Sequence, residues 1–301
     1  YGWFFAPGVN MQVGALTGNG NITGSAASGN ATLTVGSLNT DTTFSGVISD
    51  KQTKLALTKV GAGSLTLSGP NTYTGATTIS GGKIVMGNFR ALGGSGNSSL
   101  ITVAPGAALD MHGYSATGGT GFFNTLTIGG SGVGGAGALL NSAGGGGYAW
   151  NGNWAQNYNI SLTADTLFNF EAPFGQIGSG YGETSLALNG YTLTKTGAGS
   201  YYLVNTTVGD GDIKVTGGSL ILSKGGGGST SSRIQGTGMI TIGDGAGNGT
   251  LSVDSAQTAG LITRPITLDG GTIVSTGTAL IDSPVTIAAG GGVLDGRAAY
   301  L

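Results

Sequence analysis

"LTKVGAGSLTLSGPNTYTGATTISGGKIVM", residues 57–86, sets Leu, Ile or Val at alternate positions through a background of Gly, Thr and Ser. A period of two is the pattern of a strand with one buried face, because successive side chains point to opposite sides. The stretch returns as "LTKTGAGSYYLVNTTVGDGDIKVTGGSLIL", residues 193–222, without a gap and at an offset of 136 positions. Leu57-Thr58-Lys59 lies on Leu193-Thr194-Lys195, "GAGS" on "GAGS", Leu67 on Leu203, Gly75 on Gly211 and Gly81-Gly82 on Gly217-Gly218. Where letters change the character holds, as with Ile79 against Val215 and Ile84 against Leu220. A fixed internal repeat marks an array of equivalent structural units.

The rest of the chain reads the same way. "ATLTVGSL" (31–38), "SLITVAPGAALDM" (99–111), "NTLTIGG" (124–130), "NISLTAD" (159–165) and "RPITLDGGTIVS" (264–275) alternate aliphatic with small polar residues. Gly-Gly, Asp-Gly, Asn-Gly and Gly-Ala-Gly punctuate them, as expected of corners where the backbone turns sharply. Short strands, a glycine corner every six to twelve residues and a stackable aliphatic set predict an all-β fold. We read it as a single parallel β-helix (β-solenoid) with glycine-rich corners, running through residues 1–301 in coils of roughly 20 to 25 residues. Successive coils pair about 4.8 Å apart, with Leu, Ile and Val piled over their equivalents. An antiparallel sandwich or up-and-down barrel is the competing fold, but it gives no reason for a repeat at fixed offset.

Composition narrows the function. Of 301 residues 64 are Gly, about three times ordinary usage, yet Pro numbers only 6 and no strict Gly-X-Y period runs through the chain, which excludes collagen. Charged residues make up only 8%, which argues against disorder driven by charge. Eleven scattered Lys and Arg and a net charge of −2 predict no nucleic-acid surface. The absence of Cys removes disulfides, thiolate metal sites and thiol catalysis. No apolar run is long enough for a membrane-spanning helix, and no signal peptide is visible. The chain opens on Tyr1 instead of Met, which fits a processed chain or a piece of a longer one.

The first copy resembles the autotransporter-associated β-strand repeat, also called the passenger-associated transport repeat. Leu57, Lys59, Gly61, Gly63, Leu65, Leu67, Gly69, Asn71, Tyr73, Gly75, Thr77, Ile79 and Gly82 carry the resemblance, with "TTFSGVIS" (42–49) as its lead-in. The second copy keeps Leu193, Lys195, Gly197, Gly199 and Leu203, then departs: Asn205 replaces the Gly, Thr207 the Asn and Gly209 the Tyr. "TVAPGAALDMHG" (102–113) and "TIAAGGGVLDG" (286–296) resemble, more weakly, the spacers between such repeats. The resemblance implies a right-handed parallel β-helix in a secreted or surface-displayed bacterial protein, with an extracellular or cell-surface location. It implies no activity. The end of the chain, "LDGRAAYL", shows none of the ten-residue amphipathic strands of a membrane β-barrel.

Candidate chemistry is thin. Glycoside cleavage wants two facing carboxylates, and the chain has only two Glu, Glu171 and Glu183. Asp210 and Asp212 are the best local pair, but "GDGD" reads more naturally as a corner whose carboxylates cap backbone amides. Asp254, Asp269, Asp282 and Asp295 recur near strand ends and read as corner residues, since a calcium ladder needs several oxygens per ion. His112 is the sole histidine, and with Asp110 alone beside it neither a metal site nor a Ser-His-Asp triad is indicated. "GGSGVGGAG" (129–137) and the "GGGG" runs (144–147, 225–228) lack the Lys-Ser/Thr ending and following helix of a phosphate loop. Asn-x-Ser/Thr triplets at Asn21, Asn30, Asn97, Asn159, Asn205 and Asn248 arise from composition. No catalytic residue, metal or cofactor is expected.

Two aromatic clusters remain. Tyr148, Trp150, Trp154 and Tyr158 open an aromatic-rich stretch, 144–184, expected to be an excursion or wide rung whose large rings fill its core. It is also the best place to seek a surface carbohydrate or protein ligand. Tyr1, Trp3, Phe4 and Phe5, within residues 1–8, read as a cap or as an end-to-end contact between copies. The favoured reading is a non-catalytic extracellular stalk or adhesin-like passenger segment forming a stiff rod. The alternatives are a head-to-tail fibre subunit and a polysaccharide lyase or hydrolase.

Overall fold

A computed structural model describes residues 2–93, 100–114, 125–143, 159–171, 174–177, 183–223, 232–254, 262–275 and 281–296. The chain divides into two compact units, Tyr1–Ser142 and Ala143–Leu301. Within each unit the paired strands run parallel, and the only helical element among the described residues is the short 3-10 turn Val133–Gly135. The all-β parallel reading holds, and the antiparallel sandwich or barrel does not.

In the first unit one ladder stacks Asn10–Val13, Gly29–Val35, Thr53–Lys59, Thr77–Ile79, Leu100–Val103 and Thr125–Gly130. A second stacks Thr42–Phe44, Ser64–Leu67, Lys83–Met86, Ala108–Asp110 and Leu139–Asn141. A shorter third joins Gly2–Phe5, Asn21–Gly24 and Ile48–Ser49. Register turns the alternation of the sequence into columns. Met11, Leu33, Leu57, Thr77, Ile101 and Leu126 stand in one inward file. Gln12, Thr34, Thr58, Thr78, Thr102 and Thr127 form the outward file beside it. Thr is suited to that face: it is β-branched, fits the pleat and needs no charge to stay wetted. In the neighbouring ladder Leu65, Ile84, Leu109 and Leu139 stack in turn.

The second unit repeats the plan. Leu193, Ile213, Ile240, Ile266 and Val285 form one inward file. Tyr201, Leu220, Leu251 and Ile273 form another, whose register continues to the half-exposed Leu294. Val208, Ile234, Ile262 and Ile281 form a third. Each fully buried aliphatic side chain contributes roughly 1.5–3 kcal/mol, so stability accumulates winding by winding. Windings differ in length because loops absorb the difference. Ile266 reaches its partner Val285 in 19 residues, whereas Leu220 needs 31 to reach Leu251.

Candidate functional site

One residue breaks the aliphatic files in the same way in both units. Lys59 stands between Val35 and Ile79 and is buried; Lys195 stands between Phe168 and Val215 and is also buried. The reason lies at the corner that follows each. Lys59 Nζ donates to the carbonyl oxygens of Val60 (2.7 Å), Gly61 (3.0 Å) and, one winding on, Gly81 (3.2 Å). Lys195 Nζ makes the corresponding set to Thr196 (2.7 Å), Gly197 (2.9 Å) and Gly217 (2.9 Å). An ammonium has three donors and no acceptor, so three converging carbonyls saturate it. Burial pushes both lysines below their ordinary value, Lys195 to about 8 with partial compensation from Glu171. Arg264, fully buried, plugs a third corner through the carbonyls of Gly209, Gly211 and Gln235.

The remaining motif residues of 57–86 are equally structural. Asn71 is buried; its Oδ1 accepts from Ile48 N–H at 2.8 Å and its Nδ2 donates to Ala91 O at 2.6 Å. Tyr73, also buried, pairs its hydroxyl with that of Thr77 at 2.7 Å. Gly75 has no room for a Cβ, which would lie 2.3 Å from Leu55 O. Gly82 and its counterpart Gly218 sit at φ +62° and +56°, each against a carbonyl of the preceding winding.

The acidic candidates are engaged in holding windings together. Asp210 Oδ1 accepts from Thr237 N–H (2.6 Å) and its hydroxyl (3.1 Å), while Asp212 Oδ1 accepts from Met239 N–H (2.8 Å). The pair therefore caps the next winding, as the corner reading expects, and offers no acid and base to a substrate. Asp41 does the same for Ser64, Asp50 for Thr74 and Asp269 for Gly290. These bonds hold the Asp210 and Asp41 carboxyls below the usual carboxylate range, the backbone N–H contributing most. Of the two glutamates, Glu171 accepts from Ala198 N–H and Glu183 pairs with Arg233. Asp295 lies within the strand Val293–Gly296 and Asp282 donates its N–H to Ile262 O. The side chain of Asp254 lies outside the described residues.

His112 occupies a turn at φ +45°, and here the structure brings together what the sequence did not indicate. Ser142, 30 positions later, comes to lie beside it. Its Oγ is 2.7 Å from Asp110 Oδ2 and 3.2 Å from His112 Nδ1. Asp110 Oδ1 accepts from the N–H groups of His112 (3.0 Å) and Ser142 (3.2 Å), and Lys83 Nζ stands 3.5 Å from Oδ2. The order of contacts is His-Ser-Asp. The Ser142 hydroxyl donates to the closer carboxylate and so does not donate to the imidazole, and a nucleophilic triad is not formed. Among the described residues no three His, Asp or Glu side chains gather as metal ligands.

Tyr148, Trp150, Trp154 and Tyr158 lie outside the described residues, as does Tyr1. Trp3 and Phe4 are 67% and 65% exposed, with Lys51 Nζ 5.0 Å from the Phe4 ring centroid. Phe5 differs: it is buried, packing inward where the expectation set it among the contact residues. Phe168, Phe170 and Tyr201 pack together in the interior, and the Phe170 and Tyr201 rings stack at 4.8 Å.

Comparison with known proteins agrees with this geometry. Residues 57–86, the segment whose Lys, Asn, Tyr and Gly roles are given above, match the family model described as Passenger-associated-transport-repeat. The chain is also 38% identical over 134 residues to a protein named Adhesin BmaC autotransporter, from Brucella suis biovar 1 (strain 1330). That match covers 43% of this chain and 4% of the relative, so the chain spans a small part of the protein it resembles. The family match assigns residues 57–86, and no more of the chain, to that repeat. No solved structure matches the chain.

Proposed function

We propose that this chain is a non-catalytic, adhesin-like passenger segment, a stiff β-solenoid rod that displays or carries a binding surface. Its location is extracellular or on the cell surface, in keeping with the passenger repeat and the autotransporter relative. The observation that carries the rod reading is the stacking of parallel windings whose corners are closed by buried Lys59, Lys195 and Arg264. Such an interior resists unravelling. Against a lyase or hydrolase stand Asp210 and Asp212, whose carboxylates are bound to backbone N–H groups. No helix of the described residues is long and apolar enough to cross a membrane, and no nucleic-acid partner is proposed. The ligand is a surface carbohydrate or protein, and the stretch 144–184 is where we place it. Negative-stain imaging of the purified chain tests the rod: uniform narrow particles one solenoid long support it, and compact globules refute it.

A second reading, end-to-end association into a fibre, is favoured by exposed apolar positions in outlying strands. Trp3 and Phe4 are mostly exposed in the first unit, and Val293 and Leu294 are 53% and 51% exposed in the second. In it residues 1–8 cap the rod or meet another copy. Light scattering across a hundredfold concentration range decides: growing mass supports the fibre, and constant monomer mass removes it.

A further inference from the structure

The Asp110 cluster has an arrangement that corner capping alone does not require. Asp110 is 1% exposed, although it occupies a register position on the outward side, opposite Val85 and Leu140. Its two oxygens are treated differently. Oδ1 receives two backbone N–H donors, from His112 and Ser142, while Oδ2 faces the Ser142 hydroxyl and the Lys83 ammonium. Two N–H groups converging on one carboxyl oxygen are the elements of an oxyanion hole. The other oxygen faces a hydroxyl that can relay protons and an ammonium that becomes a nucleophile once it loses a proton.

We propose that Lys83 and Asp110 condense into an intramolecular amide, a covalent bond between consecutive windings. The ammonium first gives one proton to Oδ2, leaving a neutral amine against a carboxylic acid. Nζ then attacks Cγ, and the charge that develops on Oδ1 is held by the N–H groups of His112 and Ser142. A second proton leaves Nζ for the Oδ2 hydroxyl through Ser142 Oγ, which passes on its own proton as it takes another; His112 Nδ1 fixes that hydroxyl at 3.2 Å. The Cγ–Oδ2 bond breaks, water departs, and Nζ keeps one hydrogen. No oxidant, cofactor or second substrate is needed. Holding the two groups in one molecule, one winding apart, makes the condensation intramolecular and opposes hydrolysis. Burial of Asp110 shields the product carbonyl from water. The bond lies 27 positions apart in sequence and one winding apart in space. It would make these windings inseparable by force, and it does not depend on the adhesin reading.

The test is the intact mass of the folded native chain after prolonged incubation at neutral pH. The expected mass is lower by one water, with trypsin no longer cutting after Lys83 and one fragment joining residues 83 and 110. Lys83→Arg keeps its full mass, and Asp110→Asn loses one ammonia instead. Ser142→Ala slows the change about a hundredfold. Full mass in the aged native protein overturns the proposal, whatever the variants do. So does a lost water traced to a cyclic imide at Asp110, or to a hydroxylamine-labile ester at Ser142.

Discussion

Lys195 donates to the carbonyl oxygen of Gly217, a winding later, across 2.9 Å. The bond explains why a lysine stands where every stacking argument calls for Ile or Val. The corner "GAGS" turns carbonyls toward the interior, and buried carbonyls must be paired or they cost stability. Lys59 answers the same need at the same motif position in the other unit.

Replacing Lys195 by Met keeps the aliphatic stem and removes the donors, leaving the carbonyls of Thr196, Gly197 and Gly217 without them. We expect a loss of about 2–4 kcal/mol. Urea unfolding measures it, and a midpoint unchanged from the parent would rule out the corner-plug role.

The same lysine predicts an alkaline signature. Its value in the folded chain, about 8, lies below its ordinary 10.5. From pH 8 to 10.5 the unfolded chain therefore holds the proton more tightly, and stability rises with pH through that window. Denaturation midpoints at several pH values should show the rise in the parent and not in Lys195→Met. A fall in the parent relative to the variant would contradict the assignment.

Acid should act in the opposite sense. Asp41, Asp210 and Asp244 all have carboxyls lowered from their ordinary 3.8 by hydrogen bonds. Their contribution is complete above that value and disappears as pH falls through the lowered one. The unfolding midpoint should drop below about pH 4, and less steeply once all three are changed to Asn. Parallel curves for the two proteins would show that these carboxylates do not set acid stability.

Glycine at two positions, one in each unit, means two different things. A methyl at Gly75 meets Leu55 O at 2.3 Å, whereas at Gly209 the nearest atom is 3.8 Å away. Gly75→Ala should cost about 1–3 kcal/mol, and Gly209→Ala should stay within about 0.5 kcal/mol. Thermal melts of both variants compare them directly, and equal shifts would defeat the close-approach argument.

The inward files were legible because alternation is a local signal. Leu33, Leu57 and Ile101 could be assigned to the core from neighbours alone, and the offset of 136 residues marked 57–86 and 193–222 as equivalents. The capping of Thr237 and Met239 by Asp210 and Asp212 was legible too, since "GDGD" is turn chemistry. What stayed hidden depends on register. Ser142 meets His112 because Leu139 pairs with Leu109, and nothing local fixes that pairing across a separation of 30 positions. The lysine of the motif was visible as a letter, but its burial was not, because the carbonyls it satisfies belong partly to the following winding. Phe5 was grouped with its exposed neighbours by composition, although its environment is that of the core.

Windings as short as 19 residues and as long as 31 keep their strands in ladder register. Length in this chain is thus quantised at the strands and continuous at the loops. Genetic drift can lengthen a loop by any increment, but it can extend or shorten the ladder only in whole turns, much as a zip gains or loses teeth. A deletion inside Thr53–Lys59 would put that strand's inward residues out of file between Val35 and Ile79, whereas a deletion in a loop between strands would leave the files intact.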